Sequence, residues 1–408
     1  MRIGILVESF PRISEAWLAN QIIDLVKRGN EVSIYSVYPN SDSIIHQQVK
    51  TYNLIEKTHY FFNPKVNTGK RFWLGLGFIL GNFCKVKPSK VMLAIKAILT
   101  KKIEPLFGFN YIFLKGMAEL DILHAHFGEM GVFAAKMKKA GLLGKAKVVV
   151  SFHGHDIFPY RREIYKKDYN IFKGYADALL VNSIYSESLL QEIFPFSQVR
   201  IIPVGLSLDY FKPEYQLATK VRLVFLGRLV YLKGGLLMVE IFHRLSKKYP
   251  QLELVMIGEG EKRNEIENKI NEYGLTDSVF LKGALSQDQV INELKLSSIY
   301  VYPGLIDPFF KAGETQGLVL QEAQAMELPV VCSDIGGIKY GMVDGETGFL
   351  VNEGDVDGFA EKIQLLIDQP ELRRKMGKSG RDFVKKHFDS KVIGDQLITV
   401  YTEILSKN

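Results

Sequence analysis

The stretch Arg222-Leu-Val-Phe-Leu-Gly-Arg-Leu-Val-Tyr-Leu-Lys-Gly234 decides the fold. Arg222–Gly227 is a short apolar run of strand length. A loop then leads into Gly234–Tyr249, where Leu237, Ile241 and Leu245 recur at helical spacing. Strand, loop and helix in this order form the start of a doubly wound unit. Downstream the alternation continues, with strands expected at Leu252–Ile257, Val279–Leu281, Ile299–Tyr302 and Val330–Cys332 and a charged helix at Arg263–Tyr273. Upstream it has already run once. Strands are expected at Ile3–Val7, Glu31–Val37, Ile122–His126, Lys147–Phe152, Ala178–Val181 and Val199–Ile202, with a helix at Glu15–Arg28 closed by Gly29. Short apolar runs separated by helix-length segments fit parallel sheets covered on both faces.

Between the two runs lies Ile201–Pro213, which carries Pro203, Gly205 and Pro213 and reads as a linker. A chain of 408 residues also exceeds the usual size of one core. The expectation is an α/β chain of two doubly wound domains facing across a cleft at the carboxyl ends of their strands. Their bounds are 1–203 and 204–387, with a basic, apolar helical insertion at about 60–120. A terminal helix at 388–408 carries the stripe Ile393, Leu397, Val400/Tyr401 and Ile404, and is expected to pack back on the N-terminal domain.

Hydrophobic residues at 47% and charged residues at 24% exclude extensive disorder and collagen-like repeats. The net charge of +7 is uneven. Met1–Gly205 holds 27 Lys/Arg against 16 Asp/Glu, and the remainder 25 against 29. A basic first half points to an anionic partner, whether nucleic acid, membrane surface or phosphorylated substrate. The only cysteines, Cys84 and Cys332, form no metal or redox motif. Glu8 interrupts any signal-peptide core, and the most apolar stretch, Phe72–Cys84, is shorter than the ~20 residues of a membrane span. Neither secretion nor a transmembrane helix is expected.

Two stretches carry chemistry. In Glu314-Thr-Gln-Gly-Leu-Val-Leu-Gln-Glu322, a loop becomes a helix near Gly317, whose free amides and positive dipole end suit a phosphate. Glu322 lies on the apolar side of that helix, where a carboxylate needs a hydrogen-bond partner such as a vicinal diol. It could equally sit at the rim and reach solvent. In Gly227–Gly234, Arg228 and Lys233 follow a strand and suit a diphosphate, although a solvated loop would look the same. The loop lacks the Walker A pattern.

Taken together, GRLxxxKG at Gly227–Gly234, the E-x7-E of Glu314 and Glu322, Ser333-Asp-Ile-Gly-Gly-Ile338 and Asp344-Gly-Glu-Thr-Gly-Phe-Leu-Val351 resemble the retaining, family-4-type glycosyltransferases of GT-B fold. Phe10-Pro-Arg-Ile-Ser-Glu-Ala-Trp17, His124-Ala-His-Phe-Gly128 and Ser151-Phe-His-Gly-His-Asp156 are similar to the branch that builds bacterial exopolysaccharides of colanic-acid type.

The resemblance implies roles. Arg228 and Lys233 would contact the donor diphosphate, which the amides of Gly317, Leu318 and Val319 would cap. Glu314 would meet the donor sugar near the reacting carbon, and Glu322 the ribose. His153 would lie close to donor sugar and acceptor, with Asp156 and His126 as further contacts. It implies a nucleotide-diphosphate sugar donor, no metal or other cofactor, and a growing, lipid-linked glycan as acceptor in cell-surface polysaccharide biosynthesis. The place of work would be the cytoplasmic face of an anionic membrane. Departures from the family are Ser9–Ser14 in place of a Gly-Gly loop that usually meets the acceptor or the phosphates, and Thr315-Gln316 in place of Gly-Phe, a pair that could tune the donor sugar. Alternatives are a related GT-B sugar synthase or an inactive nucleotide-sugar-binding scaffold.

Other motifs weigh less. The pairs His124/His126 and His153/His155 imitate a metal site but read as polar cleft residues. Asp355-Val-Asp357 imitates a metal-binding DxD but precedes a helical stripe, as a cap does. Gly258-Glu-Gly260 lacks the third glycine of a dinucleotide fingerprint. Tyr60–Leu120 holds ten Lys/Arg, two acidic residues and the apolar Phe72, Trp73, Leu76, Phe78, Ile79 and Phe83. That pattern suits an anionic membrane surface and carries no nucleic-acid signature.

Overall fold

The computed structural model describes residues 1–12, 15–39, 47–61, 88–100, 102–103, 108, 110–112, 116–196, 199–214 and 220–407. The apolar stretch Phe72–Cys84 and most of the basic insertion lie outside the described residues. Among those described, no helix is long and apolar enough to cross a membrane.

Seven strands form the first sheet: β1 (Arg2–Phe10), β2 (Glu31–Pro39), β3 (Thr58–Tyr60), β4 (Ile122–His126), β5 (Lys147–Phe152), β6 (Ala178–Val181) and β7 (Val199–Ile201). Their order is β3-β2-β1-β4-β5-β6-β7, and every pair is parallel. The second sheet holds β8 (Arg222–Leu226), β9 (Glu253–Ile257), β10 (Val279–Gly283), β11 (Ile299–Tyr302), β12 (Val330–Ser333) and β13 (Gly348–Val351), ordered β10-β9-β8-β11-β12-β13 and again parallel. The expected doubly wound α/β architecture is therefore present twice. Strand order reverses between β1 and β4 and between β8 and β11, which opens a crevice at the carboxyl end of each sheet. The sequence reading lacks β3 and β13. Each sits at a sheet edge; β3, Thr-His-Tyr, is not an apolar run, and β13, Gly-Phe-Leu-Val, falls inside the Asp344–Val351 motif.

The apolar runs are buried as parallel strands require. All five residues of β4 and all four of β11 are buried. Helix Gly235–Ser246 buries Leu237, Met238, Val239, Ile241, Phe242 and Leu245 under the second sheet. The helix Ser390–Ser406 closes a face of the first sheet. Its Leu397, Val400, Tyr401 and Ile404 pack with Ile3, Ile5, Leu18 and Ile22. Arg28 fixes its entry, bonding Asp395 at 2.5 Å and the Lys391 carbonyl at 2.7 Å.

The chain crosses between the sheets twice, and the two crossings are bonded to each other. Leu206 donates to the Phe388 carbonyl and accepts from the Ser390 amide, both at 2.9 Å. Replacing Leu397, only 2% exposed, by alanine removes a buried side chain from the seam. Leu397→Ala should cost about 2–5 kcal/mol of unfolding free energy in urea denaturation. Wild-type stability would show that this helix does not support the first core.

Candidate functional site

The site is built on the loops that leave β8, β9, β11 and β5. Backbone packing sets the first two. A Cβ at Gly258 would lie 2.0 Å from the Gly227 carbonyl oxygen, and one at Gly260 2.3 Å from that of Leu229. The Gly258-Glu-Gly260 turn thus exists so that two backbones can touch, and the Leu229 amide bonds the Glu259 carbonyl at 2.8 Å. Gly234, at φ +72°, begins the next helix in the left-handed region, where a Cβ would lie 1.7 Å from the Pro303 carbonyl oxygen. These contacts press the Arg228–Lys233 loop against the loop after β11.

Lys233 and Glu314 meet there as an ion pair across 81 positions of sequence, with side chains 13% and 19% exposed. Burial alone would push the Glu314 carboxyl up. The Lys233 ammonium, the Thr315 amide and Arg228 outweigh it and hold the carboxyl below its ordinary value. Lys233 also lies 5.5 Å above the Tyr302 ring. Arg228 is exposed and has no ion-pair partner among the described residues.

The Glu314 loop is cradled from below. Gly337 donates to the Glu314 carbonyl at 2.7 Å, and a Cβ at Gly337 would lie 1.7 Å from the Thr315 carbonyl oxygen. Gly317, at φ +76°, starts the helix Leu318–Ala325, which has no side-chain cap. The amides of Leu318 and Val319 find no protein acceptor among the described residues, leaving an anion-binding end beside Lys233. Glu322, one turn further on, has no hydrogen-bond or ion-pair partner among the described residues, and burial pushes its carboxyl up to about 7.

Thr315 and Gln316, which stand where the family has Gly-Phe, also join the two halves of the chain. Both are buried, and their side chains bond the first domain and the linker. Asn182 Nδ2 donates to Thr315 Oγ1 at 3.2 Å, Thr315 Oγ1 donates to the His153 carbonyl at 3.2 Å, and Ser183 Oγ donates to the Thr315 carbonyl at 2.6 Å. The Gln316 amide bonds both backbone groups of Val204 at 2.8 Å. A cavity of about 400 Å³ lies behind this clasp, lined by Ile184, Pro203, Tyr340 and Phe383, without Lys233 or Glu314.

On the first domain's side, His153 Nε2 and His126 Nδ1 are 3.1 Å apart, and Trp17 covers the His153 ring at 4.5 Å. Burial holds both histidines well below their ordinary pKa, so both are neutral. Asp156 has no exposed surface and accepts from the amides of Gly128, His153 and Gly154 at 2.9–3.0 Å. It thereby ties the His153 turn to the start of helix Gly128–Lys139. His124 differs from the expected polar cleft residue. It is buried between Tyr401 Oη at 2.6 Å and Ser151 Oγ at 2.7 Å. Among the described residues no group of three or more His, Cys, Asp or Glu could hold a metal ion. Asp355 caps its helix through the Gly358 amide at 2.8 Å.

Sequence reasoning gives Trp17 no role beyond its place in the Phe10–Trp17 motif. The helix start after β1 places it over His153, and no local pattern signals that meeting.

Residues 210–383 match the family model described as glycosyl transferases group 1. Over those residues the chain is similar to the group 1 glycosyltransferases. The chain is 28% identical over 394 residues to the amylovoran biosynthesis glycosyltransferase AmsK of Erwinia amylovora, covering 91% of each chain. It is 24% identical to the putative colanic acid biosynthesis glycosyltransferase WcaL of Escherichia coli K12, covering 98% of this chain and 99% of that one. Its fold matches that of Anabaena HepE, solved in complex with UDP, with a TM-score of 0.75 at 17% identity, over 99% and 100% of the two chains. The fold is GT-B.

Glu322 gives the transferase a pH signature. Its carboxyl titrates near 4.5 when unfolded and about 7 when folded. Between those values the folded state holds the extra proton, so stability falls as pH rises through that window. Urea denaturation at pH 5 and pH 7.5 should show a loss of up to about 2–3 kcal/mol that Glu322→Gln abolishes. Equal slopes in both proteins would remove Glu322 as the cause.

Proposed function

We propose that the chain moves a sugar, with retention of configuration, from a nucleotide-diphosphate donor to a growing glycan in cell-surface polysaccharide biosynthesis. One observation carries this reading: the Lys233–Glu314 pair stands beside the unbonded amides of Leu318 and Val319. An anionic diphosphate satisfies those amides and both cations, Arg228 and Lys233. As the bond from the sugar's anomeric carbon to the diphosphate breaks, charge develops on the leaving oxygen, and these groups stabilise it. The acceptor hydroxyl attacks from the same face and gives its proton to the departing diphosphate.

Glu314, ionised, accepts hydrogen bonds from the donor sugar's hydroxyls, and Glu322 accepts them from the ribose diol. Neutral His153 offers a hydrogen bond near the reacting carbon without adding charge, with His126 behind it. The likeness to AmsK and WcaL supports the polysaccharide assignment, and the UDP complex of HepE supports a nucleotide donor. No step of this reaction needs a metal. Glu314→Ala should abolish transfer in a protein that still folds, although it loses some stability with the partly buried Lys233 unpaired, and wild-type activity should persist in EDTA. Full turnover in the mutant would sink the role of Glu314. Activity lost in EDTA and restored by Mn²⁺ would bring a metal back.

The acceptor is proposed to be lipid-linked and met at the inner face of the cell membrane. The basic excess at Tyr60–Leu120 supports this, as does helix Pro88–Leu99, which exposes Met92, Ile95 and Leu99 along one side. Flotation with liposomes should require anionic lipid and weaken as salt rises. Binding that ignores salt, or no binding, would count against a basic membrane face.

A further inference from the structure

The two loops that carry His153 and Glu314 also meet in a cluster of aromatic rings. Phe158 and Tyr160 follow His153, and Phe309 and Phe310 precede Glu314. Ring centroids are 5.9 Å apart for Phe158–Phe310, 5.0 Å for Tyr160–Phe310 and 5.5 Å for Tyr160–Phe309. Phe158, Tyr160 and Phe310 are partly buried in this contact. Phe309 is not, since 69% of it is exposed.

The exposure is built in. Asp307 Oδ1 accepts from the amides of Phe309 and Phe310, both at 2.9 Å. The Asp307 carbonyl accepts from Lys311 at 2.7 Å, and the Asp307 amide donates to Ala312 at 3.1 Å. The turn therefore presents Phe309 outward while Phe310 anchors it. A fixed phenyl ring facing water is apolar surface that gains free energy when covered.

The surroundings select what covers it. The Arg161 guanidinium lies 5.3 Å above Tyr160, and Lys311 is exposed on the same turn. A ligand with one face of C–H groups and an edge of hydroxyls satisfies ring and cations together, which is the chemistry of a pyranose. We propose that Phe309, backed by Tyr160 and Phe310, is a stacking platform for a pyranose ring of the glycan acceptor. The assignment of that ring to the acceptor rests on the transferase reading above.

The test uses methyl α- and β-glucosides, galactosides and mannosides as probes, with saturation-transfer NMR on the full chain. Wild-type protein should saturate the ring C–H protons of at least one glycoside. Phe309→Ala should weaken that binding about threefold to tenfold, and Phe309→Trp should retain it. Stabilisation by UDP or GDP should be the same in all three proteins, because the ring contacts of Phe309 are Tyr160 and Phe310 and not the donor-site residues. Equal saturation in Phe309→Ala, or no saturation by any glycoside in wild type, would overturn the platform. So would an indole in Phe309→Trp that responds to anionic vesicles and not to sugars. Failure of nucleotides to stabilise the wild type would instead strike the donor reading, and the glycoside result would stand apart from it.

Discussion

A carboxylate that burial would protonate is kept ionised by a lysine that arrives from 81 positions earlier in the chain. The rest of the site depends on this pair. Lys233 can reach Glu314 only because Gly234 lets the loop after β8 lie against the carbonyl of Pro303, and Glu314 stays in place only because Gly336 and Gly337 let a second backbone close beneath it. Glycines at these points are places where no side chain fits, and what they permit is contact between three loops from three strands. The unbonded amides of Leu318 and Val319 gain their meaning from the same packing, since it puts a positive helix end beside two cations.

The domains meet through the loop that holds Glu314. Thr315 and Gln316 spend their side chains on His153, Asn182 and the linker at Val204. Any shift of one domain against the other therefore bears on the residue next to Glu314. The neutral histidines belong to the same economy of charge. Burial strips the proton from His126 and His153, so these two rings bring no charge to the site, in contrast to the Lys233–Glu314 pair of the second domain.

Much of the fold was legible because parallel strands buried on both faces must be written as apolar runs, and β4, β5, β8, β9 and β11 are written that way. Edge strand β3, Thr-His-Tyr, bears no such run, and β13, Gly-Phe-Leu-Val, reads first as the end of the Asp344–Val351 motif. In the site, Arg228, Lys233, Glu314 and Glu322 stood out because charged residues at the ends of apolar runs are conspicuous and their spacing matched a known pattern. The clasp of Thr315 and Gln316 and the cover of Trp17 over His153 were not legible. They join residues more than 100 positions apart, and nothing local in either partner names the other. Asp156 was visible as an acid beside a histidine, but whether it faces the cleft or the backbone depends on three amides that only the folded turn brings together.

The helix Ser390–Ser406 closes a face of the first sheet, and that bears on how the protein is made. A ribosome delivers Ile3, Leu18 and Ile22 early, yet the side chains that cover them, Leu397, Tyr401 and Ile404, are delivered after the whole second domain. The first domain must therefore wait through much of its own synthesis with an apolar face open. Its folding finishes last although its sequence comes first, so a chain stalled before residue 390 would hold a completed second sheet and an unfinished first one.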